Sequence, residues 1–404
     1  MAETGGLFGA EIRDEFQLSK ELVHLNHGSF GSVPRSVYEA RLERMKELEI
    51  CPDDWFRYNF VPLVKKGSET VSKLIGSSSS ENVVFVENAT GGVTAALRSL
   101  GLKMQPKAGL LVTGLSYEAI RHTAHKVCEI EGHFVLHTIN LDPPYKDKFE
   151  VVQRYRDYLS SHSDIHVAIV DHITSPSTLL LPVKEIVSVC HEFGVAVIID
   201  GAHAPGQVEI NVEDINAEFY TGNLHKWFFC PRGCAFLHVR SDQKDIIRPV
   251  IASSFYHKGF PEEFLTQGTR DNTPFTVVPQ AMSFYERLGG IAGIHAYCVP
   301  LLKWAADMMS ERLGEPLIAA PSDMVPPYMR VVRFPEILQG DRTKAHGIKA
   351  QTILRYQYNT TACIDVITGE LWLRLSCAVY NKREDYERLA EALLDLKNHP
   401  EKLD

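Results

Sequence analysis

The chain has 404 residues, 45% of them hydrophobic and 23% charged, a make-up that excludes a disordered or fibrous protein. At roughly 150 residues per domain, this length predicts two domains and a core large enough to need no disulfide or metal. The formal net charge is −9 and no Lys/Arg cluster offsets it, which excludes recognition of DNA or RNA by charge neutralisation.

The first twenty residues, MAETGGLFGAEIRDEFQLSK, have neither the apolar core nor the basic start of a secretory leader. No later stretch reaches the ~20 apolar residues of a membrane span. From about residue 63 to 240 two patterns alternate. Helices are expected at 63–75, 91–101, 117–130, 148–162 and 182–193. Short apolar runs lie between and after them: Val83–Val86, Gly109–Thr113, Phe134–Ile139, His166–Asp171, Val195–Asp200, Glu218–Gly222 and Gly233–Val239. Such runs, separated by helices, predict buried and mostly parallel strands joined by crossovers. The fold class is therefore α/β, with a doubly wound, seven-stranded sheet. Ser77–Ser80 reads as a turn.

After Thr273-Pro274 the pattern changes. Residues 275–313 predict one or two long helices broken near Gly289-Gly290. A strand at Met329–Phe334, a helix at 345–356, strands at Thr361–Val366 and Leu371–Ser376, and a terminal helix at 383–396 follow. This predicts a large α/β domain over 20–289 and a smaller α+β domain over 290–404, joined by the N-terminal segment 1–19. The eight cysteines are scattered and suggest no disulfide framework, so a reducing, cytoplasmic setting is expected. Cys230 and Cys234, in CPRGC, lack a second ligand pair for zinc and read as packing, so no metal site is expected.

Chemistry concentrates in VAVIIDGAHAPGQ and FYTGNLHKWFF. One apolar strand ends in Asp200, and a second short strand ends just before His225-Lys226. Ligands of an α/β sheet sit outside the carboxyl ends of its strands. A buried carboxylate there needs a partner, and a lysine between Leu224 and Trp227 is placed for a depressed pKa. Plainer readings are a helix-capping aspartate and a surface lysine. An amine with a carboxylate aimed at a pyridinium nitrogen is what pyridoxal phosphate requires. Asn88-Ala89-Thr90-Gly91-Gly92 opens a helix after a strand, which offers free N–H groups to an anion or is a plain cap. Arg374, among apolar neighbours in LWLRLS, needs an anion: a ligand carboxylate or a structural partner.

Asp200-Gly201-Ala202-His203 and His225-Lys226-Trp227 resemble the signature of the class V aminotransferase family, fold type I pyridoxal-phosphate enzymes. Asn26-His27-Gly28-Ser29-Phe30-Gly31, Asn88-Ala89-Thr90, Gly268-Thr269-Arg270-Asp271 and Leu373-Arg374-Leu375-Ser376 fall in the family's order, so the resemblance spans about residues 20–396. It is strongest to the isopenicillin-N-epimerase-like branch, which includes cysteine desulfhydrases and the carbon–sulfur lyases of ergothioneine biosynthesis. The resemblance implies that Lys226 carries pyridoxal 5'-phosphate and moves the proton at the substrate Cα, while Asp200 meets the pyridine nitrogen. It places Ala89, Thr90 and His225 at the phosphate. Tyr117 would cover the ring with its phenol near the substrate Cβ, and His203 would take the opposite face or the phenolate side. Thr174 and Ser175 would approach the cofactor hydroxyl, and Arg374 would clamp the substrate carboxylate. Thr269 would reach the phosphate of a second subunit, implying a homodimer with shared sites. Asn26, His27 and Arg57 would line the substrate entrance.

The same resemblance favours β-elimination from cysteine or a cysteine sulfoxide conjugate, giving pyruvate, ammonia and a sulfur product. Epimerisation of an amino-acid end and transamination are the alternatives. Cysteine desulfurases use a loop cysteine ahead of the C-terminal arginine. Cys363 stands there, but in a stretch that reads as a strand, which argues against a desulfurase.

Overall fold

The seven apolar runs become seven strands of one sheet in the structure, a computed structural model that describes residues 8–403. After a short β1 (Val23–His24) they are β2 (Val83–Val86), β3 (Ala108–Thr113), β4 (Phe134–Ile139), β5 (Ile165–Asp171), β6 (Ala196–Asp200), β7 (Phe219–Asn223) and β8 (Ala235–Val239). Their order across the sheet is β2-β8-β7-β6-β5-β3-β4. Helices Ala89–Gly101, Glu118–Glu129, Lys148–Ser161 and Val183–Glu192 supply the crossovers. With the short helix Val212–Ile215 between β6 and β7, they explain the parallel pairing from β7 to β4. β8 runs antiparallel to both its neighbours, because the chain returns to it from β7 through a loop with no helix. Every residue of β3 and β7 is buried, as a sheet covered on both faces requires, whereas the edge strand β4 exposes Val135 and Thr138.

A second, antiparallel sheet has the order β11-β12-β9, built from β9 (Met329–Arg333), β11 (Cys363–Ile367) and β12 (Glu370–Ser376). Between β9 and β11 lies β10 (Thr360–Thr361), which pairs in parallel with β1, Val23 opposite Thr360. The N-terminal strand therefore hydrogen-bonds to the C-terminal part of the chain, although residue 23 was expected with the large domain. The expected break between the long helices is present, with Gly289 at φ 81° and the next helix over Gly290–Leu313. A hydrophobic core runs from Ile12 to Leu403 and packs one face of the large sheet against the small one. A second cluster, with Val93, Ile120 and Ile198, fills the other face. Among the described residues no helix is long and apolar enough to cross a membrane.

The sequence pattern did not anticipate the helix Arg35–Ile50 or the wider π-turn Trp55–Asn59 that runs into the helix Phe60–Leu74. The first buries only Val37, so it shows no apolar stripe.

Candidate active site

Strands β5, β6 and β7 end together, and a cavity of about 610 Å³ opens beyond their carboxyl ends. Asp200, the last residue of β6, is only 4% exposed. The Ala202 N–H donates to its Oδ1 at 2.9 Å. Burial raises the Asp200 pKa, against the pull of Ala202 and the charge of Lys226. Lys226 follows β7 and enters the same cavity, its Nζ 3.0 Å from His203 Nε2. Burial and the Arg374 charge bring the lysine down to about 7, only partly offset by Asp200. At that value a large share of the amine is neutral at pH 7, the form a nucleophile or base needs. His203 is held neutral by burial and by the cations around it, and its Nδ1 is buried without a partner.

Arg374, from β12 of the small sheet, comes in from the other side and is 4% exposed. Its guanidinium donates to the Ser175 carbonyl at 3.0 Å, Ser175 Oγ at 3.2 Å, Asn26 Oδ1 at 3.1 Å and Ser29 Oγ. Every partner is neutral, its Nε is buried and unpaired, and among the described residues no carboxylate forms an ion pair with it. A buried guanidinium so placed is a ready receptor for a ligand carboxylate.

Residues 56–312 match the profile of the aminotransferase class-V family. The chain belongs to the class V aminotransferase family. L-cysteine desulfhydrase of Arabidopsis thaliana is 31% identical over 433 residues, covering 97% of this chain and 92% of that protein. Hercynylcysteine sulfoxide lyase of Schizosaccharomyces pombe is 27% identical over 408 residues, 98% of this chain and 99% of that one. A solved structure of a lysine-to-alanine mutant of C-DES, with glycine covalently linked to its PLP cofactor, has the same fold: TM-score 0.75 at 16% identity, over 95% of this chain and 99% of that one.

Pyridoxal 5'-phosphate is the cofactor of this class V chain, and the cavity fits it: a lysine amine free of any carboxylate partner, a buried carboxylate with one oxygen left for a pyridinium, and an unpaired imidazole nitrogen. At the phosphate end, Asn88 caps the helix Ala89–Gly101 by accepting from Gly91 N. Gly92 lies so close to β7 that a Cβ there would fall 2.3 Å from Thr221 Oγ1, so the helix end can approach the cavity only with glycine at this position. Ala89 lines this end of the cavity, with its N–H given to Asn223 Oδ1 at 2.9 Å. The Thr90 N–H and hydroxyl, with His225, remain at this end of the cavity. Burial takes His225 down to about 4, and its Nδ1 lies 3.0 Å from the Cys234 carbonyl.

Tyr117 lines the cavity and is 47% exposed. Ser175 lines it too, although it is engaged by Arg374, and Thr174 turns inward to Ser177 Oγ at 2.7 Å. Asn26 reaches the site through Arg374. His27 does not. It is wholly buried, with Nδ1 2.9 Å from the Tyr380 hydroxyl and Nε2 2.9 Å from the Lys226 carbonyl, and burial depresses it to about 3. Its ring props the backbone of Lys226 from behind. Gly31, in the same motif, packs there as well, where a Cβ would stand 2.3 Å from the His225 carbonyl. Arg57 sits far out on the π-turn, 67% exposed and paired with Asp53. Thr269 is exposed on the loop before Asn272 and does not line this chain's cavity. Sequence reasoning missed Asn223, Ser29 and Asp171. Asp171 closes β5 as Asp200 closes β6, a polar end to an apolar run that could have been read the same way.

Proposed function

We propose that the protein is a pyridoxal-phosphate-dependent carbon–sulfur lyase that cleaves cysteine or a cysteine sulfoxide conjugate by β-elimination. The observation that carries this reading is Arg374, a buried guanidinium with no acidic partner among the described residues, close enough to Lys226 to depress its pKa. Such a pair suits an α-amino acid, whose carboxylate Arg374 clamps while Lys226 works at Cα. The cofactor supplies an electron sink for the pair left when the Cα–H bond breaks. Lys226 holds it covalently and takes the Cα proton; Asp200 keeps its pyridine nitrogen protonated. Thr90 and His225 would hold its phosphate, Ser175 would approach its hydroxyl, and Tyr117 and His203 would hold the ring. The Cβ–S bond then breaks, the Tyr117 hydroxyl delivers a proton to the leaving sulfur, and the three-carbon remainder takes up water to give pyruvate and ammonia.

The named relatives, an L-cysteine desulfhydrase and a sulfoxide lyase, support this choice of reaction. Exposed Thr269 fits a homodimer in which it completes the phosphate site of the second subunit. The reading includes a cytoplasmic protein with a large domain over 20–289 and a small one over 290–404, of which residue 404, like the associated residues 1–7, lies outside the described residues. Pyruvate release from cysteine, from S-alkyl cysteine sulfoxides and from a histidine-linked cysteine sulfoxide tests the reaction. Pyruvate stoichiometric with the sulfur product is expected from at least one of them. Interconversion of enantiomers without pyruvate, or amino-group transfer to a keto acid, overturns it.

A further inference from the structure

Asp171 and Asp200 are register partners on neighbouring parallel strands, 2% and 4% exposed, with no lysine or arginine ion-paired to Asp171 among the described residues. The contacts of Asp171 lead away from Asp200. Ser116 Oγ donates to its Oδ2 at 2.6 Å, and the Tyr117 backbone N–H also donates to it. Ser116 Oγ lies 3.3 Å from Thr113 Oγ1 at the end of β3. These links hold the turn between β3 and the helix Glu118–Glu129, whose N-cap residue, Tyr117, makes no side-chain cap of its own. Asp171 thus stands between the residue expected under the pyridine nitrogen and the residue expected over the ring.

Two carboxylates buried side by side cannot both ionise cheaply. Burial and the Asp200 charge push Asp171 up to about 7, against the hydrogen bonds from Ser116 and Tyr117. Two further titratable groups lie near it among the described residues: His172, the next residue, held neutral by burial, and Tyr155, from the helix Lys148–Ser161. The buried Tyr155 hydroxyl is raised well above 10 and stays neutral. Asp200 is therefore the charge that Asp171 meets.

We propose that Asp171 is a positioning residue for the cofactor: through its hydrogen bonds, and not through its charge, it ties the Ser116–Tyr117 turn to the sheet beside the carboxylate that meets the pyridine nitrogen. The inference rests on the roles proposed above for Asp200 and Tyr117. Asparagine can keep these hydrogen bonds without charge, and alanine cannot.

The test is titration of each purified apoprotein with pyridoxal phosphate, read by dissociation constant and by the circular dichroism of the bound cofactor, with apoprotein melting temperature recorded alongside. Asp171→Asn should hold the cofactor within about threefold of wild type and keep its dichroism. Asp171→Ala should weaken binding by about tenfold or more, the size of one to two net hydrogen bonds, and diminish the dichroism as Tyr117 loosens. Ser116→Ala should reproduce part of that loss and add little on top of Asp171→Ala, because both cut the same tether. Should Asp171→Ala fail to fold, the comparison of Ser116→Ala and Asp171→Asn with wild type carries the test. Asp171→Asn as weak as alanine would show that the charge is needed and overturn the proposal. So would Asp171→Ala or Ser116→Ala with wild-type affinity and dichroism. An Asp200→Ala protein with wild-type affinity would instead fault the Asp200 assignment, and this inference would fall with it.

Discussion

Asp200 and His203, at the sheet ends that floor the cavity, are 4% and 1% exposed, whereas Tyr117 and Phe30 at its rim are 47% and 66% exposed. Floor groups are locked by register and short hydrogen bonds, and their ionisation is displaced by burial. Rim groups come from turns and meet solvent. This division suits an enzyme whose cofactor chemistry is fixed while its sulfur substituent is variable. Floor residues should therefore fail every substrate alike, and rim residues should fail some more than others.

The largest effect is expected from Lys226→Ala. With no amine to hold the cofactor or move the Cα proton, kcat should fall by about 10⁴-fold or more for every substrate. Borohydride treatment of wild type, followed by peptide mapping, should mark Lys226 and no other lysine. Arg374→Ala comes next. Truncating one member of a buried charge pair costs on the order of 2–5 kcal/mol, so kcat/KM should drop roughly 30- to several thousand-fold. Its neutral partners Ser29, Asn26 and Ser175 are left without a donor, and Arg374→Lys should recover only part of the loss, since lysine lacks the fork. A loss confined to one substrate would place Arg374 with the rim.

Tyr117→Phe keeps the ring and removes the hydroxyl. If the phenol protonates sulfur, kcat should fall by about 10²-fold, and by less for substituents that leave easily as anions. Exchange of the Cα hydrogen with solvent deuterium should persist, because that proton belongs to Lys226. Equal slowing of exchange and pyruvate release would make Tyr117 a positioning residue only, and no slowing of either would favour epimerisation or transamination.

The charged groups of the site were legible in the sequence, and the neutral groups that hold them were not. Asp200 and Lys226 each interrupt or follow an apolar run, and a charge at the end of a buried strand is a local signal. Arg374 was legible for the same reason in β12. Its partners were not: Ser29 and Asn26 are brought to it by the pairing of β1 with β10 and the packing of the small sheet, which no local pattern encodes. His27 was placed at the substrate entrance by the family resemblance, yet its motif packs against the back of the lysine loop. A helix start usually leaves its N–H groups unpaired, but Asn223 reaches that of Ala89 from across the sheet end.

The smallest effect is expected at Cys363. It lies in β11 directly opposite Arg374, with Lys226 near enough to feel a charge on its sulfur. Proximity alone would nominate it as a sulfur acceptor. A sulfur acceptor must reach the substrate sulfur, take it as a persulfide and then carry it out, which calls for a mobile segment. Cys363 is instead held by strand pairing that continues through Ile364 opposite Leu373 and Asp365 opposite Trp372. Cys363→Ser should therefore keep pyruvate formation within about threefold, as expected for a near-isosteric change at a position with no covalent role. Mass spectrometry after alkylation should find no persulfide on Cys363 during turnover of wild type. A loss of a hundredfold with cofactor still bound, together with a persulfide on Cys363 and alanine in place of pyruvate, would move this residue from scaffold to nucleophile and replace elimination by desulfuration.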